Sequence, residues 1–309
     1  MSHFHITQSE YSEKLRHLSY VTIATVSFLI AIKLVAYSYT GSIILLSVAA
    51  DSVFDLIISL TNFILVRISL KKSTSAYRYG YGKAEALSAF IEGIIIFIIS
   101  VLILAIAVQK YINPESSMPH TNLALGVMAI SLITTFFLVR YQSKIMRQTD
   151  SISVESEKLH YISDLLTNFA ALIGIILVSN FNILTADPII AGLISIYLIY
   201  TTIKIFQKSV AVLIDKEIDD ELKKEIFDIV QGHNKVLGFH DVRTRQSGSS
   251  KGKFFLQMHI EVSEHVSLGE SHNIADQVED KILEKFPDAE LILHVDPSNI
   301  IEKKEFADD

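Results

Sequence analysis

The sequence predicts a multi-span α-helical membrane protein with six transmembrane helices, followed by a small cytoplasmic α+β domain. Half of the 309 residues are hydrophobic. Between residues 18 and 213 they form runs long enough to cross a bilayer, which takes about 20 residues. After Asp215 charged residues become frequent and apolar runs become short. We therefore expect a six-helix membrane domain over residues 1–208 and a cytoplasmic α+β domain over residues 209–309.

Six hydrophobic runs are the candidate spans, and we expect them to be helical because a lone span in lipid must satisfy its backbone groups internally. They cover residues 18–39, 43–70, 84–112, 121–147, 159–180 and 188–206. Lys and Arg lie before the first span, after the sixth, and in the connections that follow the second and fourth spans. The connections "YTGS", "NPESSMPHT" and "SNFNILTAD" contain none. The positive-inside rule then places both termini in the cytoplasm.

Three charged residues inside the spans need their own explanations. Lys33 and Lys110 lie late in helices that run outward, so we expect their long side chains to extend to the outer interface. Glu92, in "SAFIEGIIIF", is a single carboxylate with no partner four residues away. It either stabilises a neighbouring helix or contributes to a proton path.

Composition excludes several classes of function. The net charge of −7 argues against a nucleic-acid partner. The absence of cysteine excludes disulfides, thiolate metal sites and thiol chemistry. The first twenty residues lack a compact apolar core followed by a cleavage site, so we do not expect a cleaved signal peptide.

Two of the spans carry paired ionisable residues at helical spacing. Asp51 and Asp55 lie four residues apart in the second span, and His160 and Asp164 do so in the fifth. Each pair therefore shares one helix face. A carboxylate at mid-bilayer costs several kcal/mol, and a cation held between the two helices would offset that cost. Three carboxylates and one imidazole suit a tetrahedral ion such as Zn²⁺, whereas Ca²⁺ and Mg²⁺ prefer six or more oxygens.

Two other roles for these residues stay open. The four side chains could form hydrogen bonds between helices without binding an ion. They could also relay protons, because buried Asp and His both titrate. A metal site and a proton relay can coexist, since a metal ion and protons compete for the same ligand atoms. Fe²⁺, Co²⁺ and Cd²⁺ would fit the same ligand set.

The C-terminal part reads as helix, strand, strand, helix, strand, an open-faced α+β sandwich. Four histidines are spread over it: His240 before the first strand, His259 in the second, His272 early in the helix and His294 in the last strand. Asp296 follows His294 by two residues and so shares its strand face. Their wide separation in sequence leaves both a metal site and scattered surface histidines open.

Together these motifs resemble the cation diffusion facilitator family. The paired residues of the second and fifth spans are similar to its transport-site motif, and "YGYGKAEALSAF" resembles its "GHGKAE" signature. "HDVRTRQSG", "HIEV", "SHNIADQVE" and "LILHVDP" resemble its metallochaperone-like cytoplasmic domain. The resemblance extends from residue 18 to residue 298 and is most like the bacterial zinc and ferrous-iron efflux branch.

The resemblance implies a transporter and not an enzyme. It implies a homodimer of six-span protomers in the bacterial inner membrane that exchanges a divalent metal ion for protons. Zn²⁺ is the first expectation, with Fe²⁺ and Cd²⁺ as further substrates. The transport site that it implies consists of Asp51, Asp55, His160 and Asp164.

The resemblance also implies contacts between the two protomers. A binuclear zinc cluster between the cytoplasmic domains would use His240, His259, His272, His294 and Asp296. Asp296 would bridge its two ions. Lys83 and Asp215 match a salt bridge between the protomers.

The sequence departs from those relatives at two places. Where they carry a further zinc site on the loop after the second span, this chain has Thr74, Tyr77 and Tyr81. Tyrosine keeps its proton at neutral pH, with a reference pKa of about 10, and is a poor zinc ligand. We therefore expect no metal site on this loop. Val295 stands where relatives have a polar residue, so only its backbone could contribute to the cytoplasmic cluster.

Two further functions remain open beside proton-coupled metal efflux. A membrane-anchored metal sensor would need only the cytoplasmic histidines. A passive cation channel would conduct without moving protons in the opposite direction.

Overall fold

The computed structural model describes residues 8–40, 43–113, 122–181, 185–248 and 253–298, and over these residues it contains eight α-helices and three β-strands. The chain divides into two compact units, one comprising residues 9–210 and the other the described residues from 211 onward. This division falls close to the expected domain boundary after residue 208, which stays a prediction.

The first unit consists of six long helices, as the sequence predicts. Their ends differ from the apolar runs, because α1 and α5 begin earlier than expected and α6 ends later. The added turns carry side chains that pack inside the unit, including Tyr11 and Leu15 in α1 and Val154 in α5. The helices are α1 Gln8–Thr40, α2 Ile43–Ser69, α3 Lys83–Ile112, α4 Asn122–Thr149, α5 Ile152–Phe181 and α6 Ala186–Leu213.

Among the described residues, five helices are long and apolar enough to cross a membrane: α1, α2, α3, α4 and α6. α5 is also long enough to span, and its charged residues Glu155, Glu157, Lys158 and Asp164 lie in its first half, whereas residues 165–181 carry no charge. Large apolar side chains such as Phe54, Phe137 and Leu193 are exposed on the outside of the unit. They provide the surface that lipid would cover.

α5 packs against α2, α3 and α4 of the bundle. Tyr161 on α5 is buried with Val26 of α1 and Leu138 of α4. Its hydroxyl forms a 2.7 Å hydrogen bond with Ser59 of α2. In a membrane such interhelical hydrogen bonds contribute about 1 kcal/mol each, so α5 is held in one register against α2.

A buried carboxylate joins three segments at the end of the unit where α3 and α5 begin. Glu85 of α3 is 2% exposed and accepts hydrogen bonds from Tyr11 of α1 at 2.9 and 2.7 Å. The hydroxyl of Ser151, just before α5, also donates to Glu85, and that of Ser153 does so at 3.3 Å. These hydroxyls replace the hydration that a buried carboxylate loses.

The second unit has the element order that the sequence predicts. It contains α7 Asp220–Gln231, β1 Gly238–Gln246, β2 Phe254–Val262, α8 Leu268–Lys285 and β3 Glu290–Pro297. The sheet order is β1-β2-β3, with β1 antiparallel and β3 parallel to β2. The side chain of Ser267 caps α8 by accepting a hydrogen bond from the backbone N–H of Glu270.

Only one face of this sheet is covered by the helices of the unit. Phe254, Met258 and Ile260 on β2 are buried against α7 and α8. Successive residues of a strand point to opposite faces, so His259 and Glu261 lie on the open face. The alternation along β2 therefore separates the hydrophobic core from a polar face.

We predict that Glu85→Ala lowers stability by roughly 2–4 kcal/mol, because it leaves buried hydroxyls without their shared acceptor. The measurement is the midpoint of thermal unfolding in detergent micelles. The matched control is Glu155→Ala on α5, because Glu155 pairs with Lys208, which is 52% exposed. A partly exposed pair of this kind contributes about 0–1 kcal/mol. Equal midpoints for the two variants would show that the Glu85 contacts contribute no more than a surface pair.

Candidate metal sites

Within the part of the chain that the structure describes, two groups of three side chains place their ligand atoms within 4.8 Å of one another. The first lies between α2 and α5 of the membrane unit. His160 Nε2 is 3.3 Å from Asp55 Oδ1 and 3.8 Å from Asp164 Oδ2. His160 is buried, and the two carboxylates are partly buried. Two helices thus bring together three of the four residues expected at this site.

Asp51, the fourth expected ligand, lies one turn before Asp55 on α2. Its side chain is exposed and stands outside the group of three. The i, i+4 spacing places Asp51 and Asp55 on one face, as the sequence predicts. Sharing a face does not by itself bring both carboxylates to the same point.

The donor set of this membrane site fits a divalent transition-metal ion. His160 Nε2 has no hydrogen-bond partner among the described residues, although it is buried and lies between two carboxylates. An imidazole nitrogen with two carboxylate oxygens supplies three of the four ligands of a tetrahedral site. Hydrogen bonding between helices is the plainer alternative for these residues, and the 3.3 Å separation between His160 Nε2 and Asp55 Oδ1 is compatible with it.

Lys33 also reaches this region, and the expectation that it extends to the outer interface is wrong. Its side chain is 8% exposed, and Nζ donates a 2.5 Å hydrogen bond to Ser52 Oγ on α2. Ser52 is itself 1% exposed and follows Asp51 directly. Only two residues separate α1 from α2, so residues equally far from that connection lie at similar depth. This rule places Lys33 and Ser52 at similar depth, but it does not show that their side chains face each other.

Two further carboxylates are buried near the membrane site. Glu92 of α3 is 3% exposed, and neither of its carboxylate oxygens has a hydrogen-bond partner among the described residues. The hydroxyl of Ser156 lies near Glu92 and also donates a 3.4 Å hydrogen bond to the carbonyl of Ala89. Glu157, which the sequence analysis passed over, is 2% exposed and lies three residues before His160.

The second group of ligands lies on the open face of the C-terminal sheet. The strand registers pair His240 with His259 and His259 with His294, so three histidines stand side by side across β1, β2 and β3. His240 lies within β1, not before it as expected. Cross-strand neighbours on one face have side chains about 5 Å apart, which is within reach of a shared ion.

Asp296 connects the three histidines. Its Oδ2 is 2.8 Å from His259 Nδ1 and 3.4 Å from His240 Nε2. Its Oδ1 is 3.2 Å from His294 Nε2. The two oxygens thus face different histidines, an arrangement able to bridge two metal ions. Val295 packs into the core on the opposite face, so its side chain does not enter this group.

His272, the remaining expected ligand, is not brought to the cluster within this chain. It lies on α8, is 73% exposed and is 3.5 Å from Asp276 one turn later. The sequence analysis expected it in a site shared between two domains. A single chain does not place it against Asp296.

Two acidic residues that the sequence analysis missed extend the cluster. Glu261 Oε1 is 2.9 Å from His240 Nδ1, and Asp241 Oδ2 is 3.7 Å from His259 Nε2. A Cβ at Gly238 would lie 2.8 Å from Glu261 Oε2, so glycine there leaves room for this carboxylate. Glu261 follows His259 by two residues, and this alternation was a signal available in the sequence.

The loop between α2 and α3 brings together the three positions at which relatives were expected to hold zinc. Thr74 Oγ1 is 3.3 Å from the Tyr81 hydroxyl and accepts a 3.2 Å hydrogen bond from the Tyr77 backbone N–H. The rings of Tyr77 and Tyr81 lie 4.8 Å apart. Neutral hydroxyls and aromatic rings occupy these positions, and the expectation that no metal binds here stays a prediction.

Comparison with known proteins finds a matching family model for each of the two units. The family model described as the cation efflux transmembrane domain matches residues 19–214, and that of the cation efflux protein cytoplasmic domain matches residues 218–298. The chain is 36% identical over 294 residues to the cation-efflux pump FieF of Salmonella choleraesuis (strain SC-B67), covering 95% of this chain and 96% of the relative. It is 37% identical to FieF of Salmonella newport (strain SL254), covering 91% and 92%.

Among solved structures, the chain is similar to the metal-bound C-terminal domain of the CzcD transporter from Thermotoga maritima. The two are 25% identical, with a TM-score of 0.24, over 26% of this chain and 93% of that chain.

We predict that Glu261→Gln weakens metal binding at the C-terminal cluster by about tenfold or more, because a carboxylate bonded to a ligand histidine orients it and raises its basicity. Binding is measured by competition with a chromophoric Zn²⁺ chelator, on the full chain carrying Asp55→Ala to disable the membrane site. Glu264→Gln is the matched control, since Glu264 lies 3.7 Å from His265 and outside the cluster. An unchanged affinity in Glu261→Gln would refute the orienting role.

Proposed function

The chain belongs to the cation diffusion facilitator family of metal efflux transporters, and from this premise we propose that it exports a divalent metal ion in exchange for protons. The convergence of Asp55, His160 and Asp164 inside the apolar helix bundle carries this proposal. Zn²⁺ is the proposed first substrate, with Fe²⁺ and Cd²⁺ as further ones. A mixed imidazole and carboxylate set favours such ions over Ca²⁺ and Mg²⁺.

The position of the site favours transport over sensing. A membrane-anchored sensor would need only the cluster on the C-terminal sheet. Holding two carboxylates and a histidine within spanning helices costs several kcal/mol. A protein that moves an ion across the bilayer needs such a site, whereas a sensor does not. Since the chemistry needed is binding and release, the protein is proposed to act as a transporter and not as an enzyme.

Exchange with protons follows from the ligand chemistry. The carboxylates and the imidazole bind a metal ion only when they are deprotonated, so protons and metal compete for the same atoms. We propose that the metal enters from the cytoplasm and that protons from the opposite side displace it. The protons then leave towards the cytoplasm when the site opens inward. The site binds the metal ion in one state and protons in the other. This difference in binding shifts the equilibrium between the inward-open and outward-open states.

We further propose that the protein works as a homodimer in the bacterial inner membrane, with both termini and the C-terminal domain in the cytoplasm. The distribution of Lys and Arg among the connections supports this orientation. His272 and His294 are 73% and 61% exposed, so a partner chain can reach them. In the proposed cluster, His272 of one protomer completes the ligands around Asp296 of the other, and Zn²⁺ there holds the two domains together.

One expected contact between the protomers also belongs to this proposal. Asp215 forms a 3.2 Å ion pair with Arg245 of its own chain. The salt bridge between Lys83 and Asp215 of two protomers stays a prediction.

The test of transport is Zn²⁺ uptake into proteoliposomes under a pH gradient. We expect wild-type flux to depend on the gradient and Asp164→Ala to abolish it, because the site loses one of three convergent ligands. Asp219→Ala, at an exposed position in the C-terminal unit, is the control and should transport normally. Absence of any wild-type flux would favour a sensor. Flux that persists without proton counter-movement would favour a channel.

His272→Ala tests the proposed dimer cluster. We expect the variant to lose the stabilisation of the dimer by Zn²⁺, seen as dissociation at protein concentrations where the wild type stays dimeric. In the presence of a chelator the two should dissociate alike, since only the metal contacts differ. His265→Ala, at an 86% exposed histidine outside the cluster, should match the wild type. Mass photometry in detergent reports both states, and a dimer indifferent to His272 would refute the shared cluster.

A further inference from the structure

Lys33 is a buried cation in the last third of a membrane helix. It lies on α1, and its hydrogen bond to Ser52 holds the ammonium group against the segment of α2 that carries Asp51 and Asp55. Both members of this hydrogen bond are shielded from solvent, at 8% and 1% exposure. A lone ammonium in such a place costs several kcal/mol, so negative charge must compensate it.

The charges that act on Lys33 are those of the proposed transport site. The carboxylates of Asp55, Asp164 and Asp51 all attract it, with Asp55 the strongest. A neutral hydroxyl such as Ser52 positions the ammonium but does not balance its charge. The membrane site therefore contains a fixed positive charge in addition to its acidic ligands.

The charge of this residue gives it a role. A positive charge beside the carboxylates offsets part of their negative charge and repels any metal ion that enters the site. Without Lys33 the carboxylates would attract a divalent cation more strongly.

We propose that Lys33 is a tethered counter-cation that limits the affinity of the transport site for a divalent metal ion. While the site is empty, its positive charge lowers the cost of holding the carboxylates in the low-dielectric bundle. Once a metal ion is bound, the same charge repels it, which helps release on the far side. Lys33 thus tunes the affinity of the site for the exchanged ion, and this inference rests on the proposed transport function.

Three variants separate charge from packing. Lys33→Met removes the charge and keeps the length, Lys33→Arg keeps the charge, and Ser52→Ala removes the hydrogen bond and keeps the charge. Equilibrium Zn²⁺ affinity of the membrane site is measured on the full chain with Asp296→Ala to disable the C-terminal cluster. Transport kcat and KM are measured in proteoliposomes with otherwise wild-type protein.

For Lys33→Met we expect Zn²⁺ to bind about tenfold more tightly or better, since one repulsive charge at close range is lost. We expect its kcat to fall, because release of the more tightly bound metal is slower. Lys33→Arg and Ser52→Ala should keep an affinity close to that of the wild type. If Lys33→Met does not fold, Lys33→Gln takes its place, because its amide can still donate to Ser52.

A structural role would give different results. If the charge-free variant binds Zn²⁺ as the wild type does, or more weakly, the counter-cation role is wrong. If Ser52→Ala reproduces the effects of Lys33→Met, Lys33 acts only as a hydrogen-bond link between α1 and α2. Absence of wild-type transport would overturn the proposed function alone, because the equilibrium affinities test Lys33 independently.

Discussion

The burial of charge inside an apolar helix bundle is the constraint on which the rest of the membrane unit depends. Each buried ion costs several kcal/mol unless another charge or a set of hydrogen bonds compensates it. Glu85 is compensated by the hydroxyls of Tyr11, Ser151 and Ser153, and Lys33 by Ser52 and the nearby carboxylates. At His160 the carboxylates of Asp55 and Asp164 face Nε2. In the proposed exchange a metal ion or a proton occupies the space between them, which links the energetics of the fold to the proposed transport.

Both units bring histidine and carboxylate side chains together. The membrane unit does so through the period of a helix, and the C-terminal unit does so through strand pairing. In the membrane unit, His160 and Asp164 are neighbours because a helix turns once in 3.6 residues. In the C-terminal unit, His240, His259 and His294 are neighbours because strand pairing puts them in one row. Helical spacing can be read directly from the chain, whereas a row across three strands exists only after the register is set. This difference explains why the helical pairs were the clearer signal in the sequence.

Several features could not be predicted because they depend on contacts between distant segments. The early start of α5 follows from the packing of Val154 and its neighbours, not from hydropathy. Lys33 was expected at the interface, since the sequence alone did not show that Ser52 faces it. Alternation along β2 places Glu261 on the face of His259, but its contact with His240 depends on the register between β1 and β2. In each case a contact with a residue distant in sequence decided the position, and the properties of the local sequence did not.

By itself, the sequence determined the class of the protein: six helices, a helix–strand–strand–helix–strand domain, and acidic and histidine residues at spacings that suit a metal ion. It could do so because hydropathy and the periods of helix and strand are local properties. Only the tertiary structure decided which side chains meet. It brings Asp55, His160 and Asp164 together without Asp51, and it groups three histidines around Asp296 without His272. Convergence at a point depends on helix packing and strand register, and these are set by the whole fold.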